Sequence, residues 1–305
     1  MKRVLCIAES CCDMIFGGLP RVPRPGQEVY CRDFAIKAGG GANTPMMLGA
    51  LGAPVRFLTR LGEDMPGRIV LEDLKACGVE IAGMGVAAGT RTAVSAVLST
   101  PMDRCFASYG GPGGDFFTPE QLEEEICRAD IVHTYLGYCL TYPIARLCRS
   151  YNKILSLDVS WCDSRAGKET WEILNQCDYL KLNREEALAL TGAPDPESAV
   201  RQLAQQVRIG TVVTLGKEGS LGVCGGQSCG QSAIEMGKFV DACGAGDCYG
   251  AGFLYGIATG RDMKESMGLG AKAAGLCVTW YGGMDRSGLD PYFTKEKTVA
   301  KPVVV

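Results

Sequence analysis

The sequence predicts an α/β protein with a doubly wound, mainly parallel sheet flanked by helices, together with a second, small β-sheet. Short apolar runs alternate with helix-length segments over most of the chain, which is the pattern of β-α-β units around a buried parallel sheet. Two β-rich segments, at about residues 13–37 and 90–110, interrupt this alternation. We expect these two segments to meet in space as a small sheet over one edge of the core.

The individual elements follow from the apolar runs and from the positions of Gly and Pro. An apolar run at residues 4–8 predicts the first core strand, and Pro20, Pro23 and Pro25 predict a loop from residue 11 that leads into exposed β-structure at 28–36. Further strands are predicted at 55–59, 92–99, 104–109, 130–134, 154–158, 178–182, 210–215, 220–224 and 231–236. Helices are predicted at 44–51, 66–77, 119–128, 141–150, 168–176, 184–191, 196–207, 246–259 and 263–279.

The composition argues against a nucleic-acid-binding or membrane protein. The net charge is −3, no basic run is present, and no apolar stretch approaches the roughly 20 residues of a membrane span. The 16 cysteines show no Cys-x-x-Cys spacing and His133 is the only histidine, so a zinc site is poorly supported. We expect one domain over residues 1–305, with free thiols in a reducing cytoplasm.

The most informative segment is 241–247, Asp-Ala-Cys-Gly-Ala-Gly-Asp, which precedes a helix-like run. Gly244, Ala245 and Gly246 permit a tight turn, and the free N–H groups and positive dipole end of the following helix favour an anion there. A carboxylate at Asp247 would be repelled by a phosphate, which suggests that it takes a proton from the hydroxyl that attacks the phosphate. The simpler alternative is a glycine-rich helix start with Asp247 as its cap.

A second glycine cluster, at residues 38–43 (Ala-Gly-Gly-Gly-Ala-Asn), precedes another helix-like run at 44–51. Together the two segments resemble the two signatures of the ribokinase (PfkB-type) carbohydrate kinase family, and the resemblance extends over nearly the whole chain. The second signature reads Asp-Thr-x-Gly-Ala-Gly-Asp in the family and is matched here except at Ala242, which stands in place of Thr. The resemblance implies an ATP-dependent kinase that phosphorylates a primary hydroxyl of a sugar such as ribose or fructose.

The resemblance also implies which residues bind the sugar. Asp13 follows the first strand, where the family uses a carboxylate to hold sugar hydroxyls, and a carboxylate can accept two such hydrogen bonds. Gly39, Gly40 and Gly41 would let the backbone approach the sugar closely, and Asn43 can both donate to and accept from a hydroxyl. A turn cap at residue 13 and a flexible helix entry at 39–43 are the alternatives.

On the nucleotide side, the resemblance covers two further loops. Asn183 and Glu186 resemble an Asn-x-x-Glu motif that supports Mg²⁺ and the phosphates through water, although they could equally form a capping box. Thr214, Gly216 and Gly219 resemble the loop that meets the ATP phosphates and ribose, and an ordinary turn is the alternative.

Two more features are implied by the family. Asp241 occupies the place of a ligand for a monovalent cation such as K⁺, but Ala242 lacks the usual Thr hydroxyl, which makes a potassium requirement doubtful. The small sheet corresponds to a lid over the sugar, and in the family this lid is often the surface of a homodimer.

Several other side chains leave the substrate open. His133 at a strand end is either a hydrogen-bonded structural residue or part of the cleft. Asp158 and Trp161 follow a predicted strand and are expected near the cleft. Arg104 and Tyr109 either bind an acidic or planar group of the substrate or face solvent.

Three functions other than a sugar kinase are alternatives: a nucleoside kinase, a sugar-binding sensor and a dehydrogenase. A nucleoside kinase of the same family would need aromatic or apolar walls, which Phe16, Phe106, Tyr109 or Trp161 could supply. A sugar-binding sensor without catalysis would not need the intact Gly-Ala-Gly-Asp segment. A dehydrogenase on a doubly wound sheet is disfavoured because no Gly-x-Gly-x-x-Gly fingerprint occurs.

Overall fold

The computed structural model describes residues 1–84, 89–100, 102, 104–111, 117–160 and 167–284. Its larger sheet has nine strands in the order β13-β12-β11-β10-β9-β8-β1-β4-β5. They are β1 (Val4–Ile7), β4 (Val55–Thr59), β5 (Glu80–Met84), β8 (Ile131–Tyr135), β9 (Ile154–Asp158), β10 (Tyr179–Asn183), β11 (Gly210–Thr214), β12 (Ser220–Cys224) and β13 (Gln227–Gln231). Strands β12 and β13 pair antiparallel and the others parallel, which confirms the predicted fold class.

The direction of winding reverses at β1. From β1 the chain builds outward through β4 and β5 on one side, and later through β8 to β11 on the other. Val4 accordingly lies opposite Val55 of β4 and Ile131 of β8. At such a reversal the loops that follow the strands diverge and leave a crevice, which is where open α/β sheets bind ligands. A site is therefore expected above the carboxyl ends of β1 and β8.

The smaller sheet has four strands in the order β3-β2-β6-β7. They are β2 (Ser10–Gly17), β3 (Asp33–Gly40), β6 (Ala93–Ser99) and β7 (Arg104–Tyr109). β2 pairs antiparallel with β3 and parallel with β6, so that Asp13 lies opposite both Lys37 and Ser95. The two β-rich segments of the sequence thus meet in one sheet, as expected.

Helices cover both faces of the large sheet. They are α1 (Asn43–Ala50), α2 (Met65–Ala76), α3 (Pro119–Arg128), α4 (Leu136–Thr141), α5 (Ile144–Ser150), α6 (Lys168–Leu174), α7 (Arg184–Thr191), α8 (Pro196–Ala204), α9 (Ala245–Ala258) and α10 (Met263–Cys277). Side chains fix several of their starts, because capping boxes of Thr118 with Gln121 and of Asp262 with Glu265 satisfy the first N–H groups of α3 and α10.

The core lies on both faces of the large sheet. Successive residues of β1 point to opposite sides, so Cys6 packs in the layer with α1, α9 and α10, and Ile7 packs in the layer with α3, α5 and α8. Helices α9 and α10 approach closely because Gly252 has no side chain: a β carbon there would lie 2.4 Å from the Leu269 carbonyl oxygen. This packing holds α9 in a fixed position over the sheet.

Several local predictions are wrong. Residues 10–17 form strand β2 rather than a loop. The prediction failed because this strand is stabilised by pairing with β3 and β6, which lie elsewhere in the sequence. The predicted helix at 141–150 begins only at Ile144, after Pro143, and the separate helix α4 (Leu136–Thr141) that precedes it was not predicted. The predicted strand at 231–236 lies instead at Gln227–Gln231, because Gly225 and Gly226 have φ of 56° and 78° and make a two-residue hairpin turn. The exposed edge strand β5 was not predicted.

Within the described ranges, no helix has the length and apolar character that crossing a membrane requires. The cysteines in these ranges are free thiols, and nine of them are buried. Burial raises the pKa of thiols such as Cys6 and Cys248, so these groups behave as small apolar side chains rather than as thiolates.

Candidate active site

The glycine turn before α9 depends on Gly244. This residue adopts φ 74° and ψ 0°, in the left-handed region that favours glycine. A β carbon at Gly244 would also lie 2.3 Å from the Cα of Gly283, so the close approach of these two backbone segments requires a glycine here. Ala245 and Gly246 begin the helix, where the first N–H groups have no acceptor in the helix itself. The turn therefore has the geometry of an anion-binding helix start.

Asp247 lies in the first turn of α9, and two side chains from other elements hold its carboxylate. Asn43 Nδ2 donates to Oδ2 at 2.9 Å, and the Tyr135 hydroxyl donates to Oδ1 at 3.2 Å. The Thr44 hydroxyl donates to the Asp247 carbonyl at 3.3 Å. The carboxylate is thus engaged by α1 and β8 rather than serving as a cap for its own helix.

The surroundings of Asp247 change its acidity. Burial raises the pKa of this carboxyl above its ordinary value. The Asn43 hydrogen bond and the Lys181 ammonium oppose the rise, and the negative charge of Asp158 adds to it. A carboxylate with a raised pKa accepts a proton more readily, and Asp247 is therefore chemically suited to act as a general base.

Asp13 of β2 lies against the backbone of Gly39 in β3. A β carbon at Gly39 would sit 1.9 Å from Asp13 Oδ2, and the Cys11 thiol donates to Asp13 Oδ1 at 3.0 Å. Burial raises the pKa of Asp13 to about 6; the Cys11 hydrogen bond opposes this rise, and the charges of Asp247 and Asp241 add to it. The two carboxylates are therefore near enough to interact electrostatically.

Gly40 and Gly41 carry the chain from β3 into α1. Gly40 has φ 57°, and a β carbon at Gly41 would lie 2.6 Å from the Glu9 carbonyl oxygen. The Gly41 N–H donates to that same carbonyl at 3.0 Å. The chain reaches Asn43 directly after this turn, so the glycine cluster brings Asn43 to the carboxylate of Asp247.

A cavity of about 520 Å³ opens at the glycine turn. Thr214, Gly216 and Gly219 from the loop after β11 line it together with Ala245 and Gly246 of the turn. Its remaining walls are largely apolar and include Ile234, Met236, Phe239, Ala271, Ala274 and Val278. A cavity with apolar walls and an anion-binding turn suits a planar group joined to phosphates.

Asn183 and Glu186 form a capping box at the start of α7. The Glu186 N–H donates to Asn183 Oδ1, and the Asn183 N–H donates to Glu186 Oε2, both at 2.8 Å. Burial raises the pKa of Glu186, whereas the Asn183 N–H and the Lys181 charge lower it. Neither residue is among those that line the 520 Å³ cavity.

Asp241 is buried before the glycine turn. Its Oδ1 accepts the N–H of Cys243 and its Oδ2 accepts the N–H of Gly282, both at 3.2 Å. The carboxylate thus ties the turn to the chain that follows α10. No cluster of three or more His, Cys, Asp or Glu side chains suited to a metal ion occurs in the part of the chain that the structure describes.

Two strand-end predictions have different outcomes. His133 is buried, with Nδ1 3.2 Å from the Ser156 hydroxyl, as the structural interpretation expected. Asp158, which was expected near the cleft, is only 2% exposed and forms an ion pair with Lys181 at 2.9 Å. Trp161 lies outside the described residues.

Sequence reasoning missed Tyr135 and Lys181. Both lie near the carboxyl ends of strands, β8 and β10, that flank Asp158 in the sheet. The signal that could have found them is a polar side chain at the end of an otherwise apolar parallel strand, which points toward the crevice of a doubly wound sheet.

Comparison with known proteins gives consistent matches over most of the chain. The sequence pattern of pfkB family carbohydrate kinases matches residues 1–287. A ribokinase from Arabidopsis thaliana is 29% identical over 280 residues, which cover 87% of this chain and 73% of the relative. A fructoselysine 6-kinase from Shigella flexneri is 27% identical over 292 residues, covering 92% of this chain and 99% of the relative.

Solved structures share the whole fold. An adenosine kinase from Sinorhizobium meliloti superimposes with a TM-score of 0.81 at 25% identity, covering 98% of this chain and 99% of that one. A ribokinase from Arabidopsis thaliana complexed with ribose and ATP gives 0.77 at 25% identity, covering 94% and 97%. The fold and these matches define a phosphotransferase that acts on a sugar hydroxyl. The chain belongs to the pfkB family of carbohydrate kinases.

Proposed function

We propose that this chain is an ATP-dependent kinase that phosphorylates a primary hydroxyl of a sugar such as ribose or fructose. The position of Asp247 between two binding regions supports the proposal. Asn43, which holds Asp247, follows the glycine cluster that packs against Asp13. Gly246, directly before Asp247, lines the 520 Å³ cavity. A hydroxyl held in the first region and a phosphate held in the second would meet at Asp247.

In the first region Asp13, Asn43 and the backbone of Gly39–Gly41 bind the sugar. An ionised Asp13 accepts hydrogen bonds from two hydroxyls. Asn43 donates to Asp247 through Nδ2 and its Oδ1 packs against Gly283, so its proposed part in sugar binding is to hold Asp247 beside the sugar. In the second region Thr214, Gly216 and Gly219 bind the nucleotide.

During transfer, Asp247 accepts the proton of the attacking hydroxyl. The sugar oxygen forms a bond to the γ-phosphorus while the bond between that phosphorus and the ADP oxygen breaks. The N–H groups of Gly244, Ala245 and Gly246, with the dipole of α9, stabilise the negative charge on the transferring group. The sugar phosphate and ADP leave, and the proton on Asp247 passes to solvent.

Mg²⁺ would neutralise charge on the ATP phosphates. Glu186 fits a role in holding the water shell of Mg²⁺, because the capping box uses only Oε2 and leaves Oε1 free to accept from a water. Mg²⁺ usually keeps several of its bound waters in protein sites. Asp241 fits K⁺ less well, since both of its oxygens accept backbone N–H groups and Ala242 offers no hydroxyl. Titration with MgCl₂ and with KCl in place of NaCl tests both ions.

A nucleoside is the second candidate substrate. The structural similarity to an adenosine kinase favours it, as do aromatic side chains on the small sheet. Phe106 and Tyr109 are 53% and 48% exposed there, and the Arg104 guanidinium lies 6.0 Å from the centre of the Phe106 ring. The strand register puts Phe106 on the same face of the small sheet as Asp13, where its ring could cover a flat base that a simple sugar lacks, whereas Tyr109 lies on the opposite face.

The small sheet would act as a lid over the sugar and as the surface of a homodimer. Phe34, Ile36 and Tyr109 are exposed on one face of the sheet and Phe106 on the other, and exposed apolar side chains such as the first three mark association surfaces. Light scattering on the purified protein measures the oligomeric state, and a Phe34→Glu variant should shift a dimer to monomers. The prediction of one domain over residues 1–305 includes residues 285–305, which lie outside the described ranges.

The deciding experiment measures ADP release with Mg-ATP across a panel of sugars, sugar acids and nucleosides. Wild-type protein should respond to one acceptor class, and Asp247→Asn should be at least 10³-fold slower at unchanged ATP affinity, as an order-of-magnitude expectation. Asp33→Asn, at an exposed aspartate of β3, is the matched control and should keep full activity. Thermal stabilisation by a ligand without any ADP release would contradict the proposal and favour a sugar-binding sensor.

A further inference from the structure

Behind Asp247 lies a largely buried group of polar side chains that the transfer step described above does not use. It consists of Tyr135, Asp158 and Lys181, and we refer to it as the strand-end cluster. Its members come from three adjacent parallel strands, β8, β9 and β10. Asp158 lies opposite Tyr135 on one side and opposite Lys181 on the other, so the three side chains stand in one row across the sheet.

Lys181 and Asp158 form a buried ion pair. Lys181 Nζ lies 2.9 Å from Asp158 Oδ2, and the two side chains are 11% and 3% exposed. Removing two charges from water costs free energy that their attraction often fails to repay, so an apolar pair in this position would serve stability as well or better. The presence of a charged pair at this point of the sheet therefore calls for a role other than stability.

Helix α9 has glycines at the positions that face Lys181. A β carbon at Gly250 would lie 3.0 Å from Lys181 Cε, and a β carbon at Gly246 would lie 4.0 Å from Nζ. The absence of these side chains lets the Lys181 side chain lie against the first two turns of α9, the segment that carries Asp247. Tyr135, at the other end of the row, donates its hydroxyl proton to Asp247 Oδ1.

The charges around Asp247 come from every element that packs against it. The polar and titratable groups involved are Asn43 of α1, Asp13 of β2, Tyr135 of β8, Asp158 of β9, Lys181 of β10 and the thiols of Cys243 and Cys248. Lys181 is the cation among them. Burial lowers the pKa of Lys181, but the charges of Asp158, Asp247 and Glu186 outweigh this effect and raise it, so the ammonium stays charged.

We propose that Lys181 is a positioning residue for phosphate transfer: Asp158 anchors its ammonium beneath Asp247, where the positive charge keeps that carboxylate ionised while Tyr135 orients it toward the acceptor hydroxyl. The inference rests on the proposed role of Asp247 as the base. Lys181 and Asp158 act on Asp247 in opposite directions, since the ammonium lowers the pKa of Asp247 and the carboxylate raises it.

This opposition supplies the test. The pH dependence of kcat is measured at saturating sugar and ATP, so that the ionisation of Asp13 in the free enzyme does not enter. Lys181→Met should shift the acid limb of the pH profile of kcat to higher pH by about one unit, because the ammonium that lowers the pKa of Asp247 is lost while the Asp158 carboxylate that raises it remains. Asp158→Asn should shift the same limb to lower pH. A pair that only stabilises the fold would lower Tm in both variants without opposite shifts.

Two further variants separate charge from folding. Arg149→Met breaks another buried pair, with Asp178 just before β10, and should lower Tm while leaving the acid limb unchanged. If Lys181→Met does not fold, Lys181→Met/Asp158→Asn removes both buried charges, and its acid limb should lie at higher pH than that of Asp158→Asn, because the two charges act on Asp247 in opposite directions. Tyr135→Phe removes the hydroxyl that donates to Asp247 and should also shift the acid limb of the kcat profile to higher pH, while the Lys181–Asp158 ion pair stays intact.

The outcomes distinguish this inference from the proposed function. Unshifted limbs in Lys181→Met and Asp158→Asn, with Asp247→Asn inactive, would overturn the role of Lys181 and leave the kinase proposal standing. An active Asp247→Asn would overturn the proposed base, and the inference with it. Opposite shifts together with an inactive Asp247→Asn support both.

Discussion

The carboxylate of Asp13 rests on the Cα of Gly39, so that a β carbon added to Gly39 would sit 1.9 Å from Asp13 Oδ2. The contact connects two strands of the small sheet, since β2 carries Asp13 and β3 carries Gly39. The contact sets the position of the Asp13 carboxylate relative to β3. The placement of Asp13 in the proposed sugar pocket therefore depends on the absence of a side chain at Gly39.

Substitution of Gly39 should accordingly harm sugar binding before it harms the fold. In Gly39→Ala the new methyl group displaces the Asp13 carboxylate, so the KM for the sugar should rise by roughly 10-fold or more, while overpacking costs about 1–3 kcal/mol of stability. Steady-state kinetics and thermal unfolding measure the two effects. Gly230→Ala in β13, where a β carbon meets nothing within 4 Å, is the control and should change neither quantity.

The two ends of α9 offer a matched pair of glycines with left-handed backbones. Gly244 and Gly260 have φ of 74° and 78°, but only at Gly244 would a β carbon meet a neighbour, the Cα of Gly283 at 2.3 Å. Both alanine variants should lose about 1 kcal/mol through backbone strain, and Gly244→Ala should lose roughly 1–3 kcal/mol more through the clash with Gly283. Gly244→Ala should in addition lose about 10²-fold or more in kcat, because the turn proposed to bind phosphate must move. Equal activity of the two variants would contradict a role for this turn.

The raised pKa of Asp13 predicts how stability depends on pH. The folded value of about 6 exceeds the ordinary value of 3.8, so the folded state binds more protons between these limits, and the free energy of unfolding falls as pH rises from about 4 to about 6. Asp13→Asn removes this contribution and should stabilise the sugar-free protein at pH 7 by on the order of 3 kcal/mol. Urea unfolding at pH 4.5 and pH 7 measures the difference. A variant less stable than wild type at pH 7 would contradict it.

The same substitution should abolish sugar binding, and acidification of the wild-type protein should weaken it. A protonated Asp13 loses acceptor capacity, so sugar affinity should decline as pH falls through about 6. Isothermal titration with the acceptor identified in the panel measures this dependence. Affinity that is constant from pH 5 to pH 8 would remove Asp13 from the sugar site.

The apolar wall of the 520 Å³ cavity can be tested without touching the sugar pocket. Ala274 of α10 lines the cavity, and Ala274→Leu should fill part of it and weaken ATP affinity by about 10-fold with little effect on sugar affinity. Lys264→Leu adds an apolar side chain at an exposed position of the same helix and serves as the control. Equal ATP affinity in both variants would mean that the nucleotide lies elsewhere.

The sequence predicted the strands of the large sheet other than β5 and β13, because these strands are short apolar runs set apart by helix-length segments. It failed on β2, where Cys11 and Asp13 alternate with apolar residues and the pairing with β6 depends on chain about 80 residues away. It also failed on the hairpin before β13, although the consecutive residues Gly225 and Gly226 are the signal for a two-residue turn.

The candidate site residues Gly244–Asp247 and Gly39–Asn43 could be predicted from the sequence because both segments are rich in glycine. Lys181 and Tyr135 stayed hidden because their importance comes from strand order, which puts β8, β9 and β10 side by side. The hydrogen bond from Asn43 to Asp247, which joins residues 204 positions apart, likewise belongs to tertiary structure alone.

The small sheet is attached to the rest of the molecule partly through two very short joints. Ala8 and Glu9 connect β1 to β2, and Gly41 and Ala42 connect β3 to α1. The Gly41 N–H bonds the Glu9 carbonyl, and Arg60 holds the Glu9 side chain at 2.7 Å, so the joints form one axis. A swing of the sheet about this axis would carry Asp13 and leave Asn43 in place. The distance between Asp13 and Asn43, both proposed to act at the sugar site, would then change with the position of the small sheet. The size of a bound ligand would limit how far the sheet could move toward the rest of the molecule.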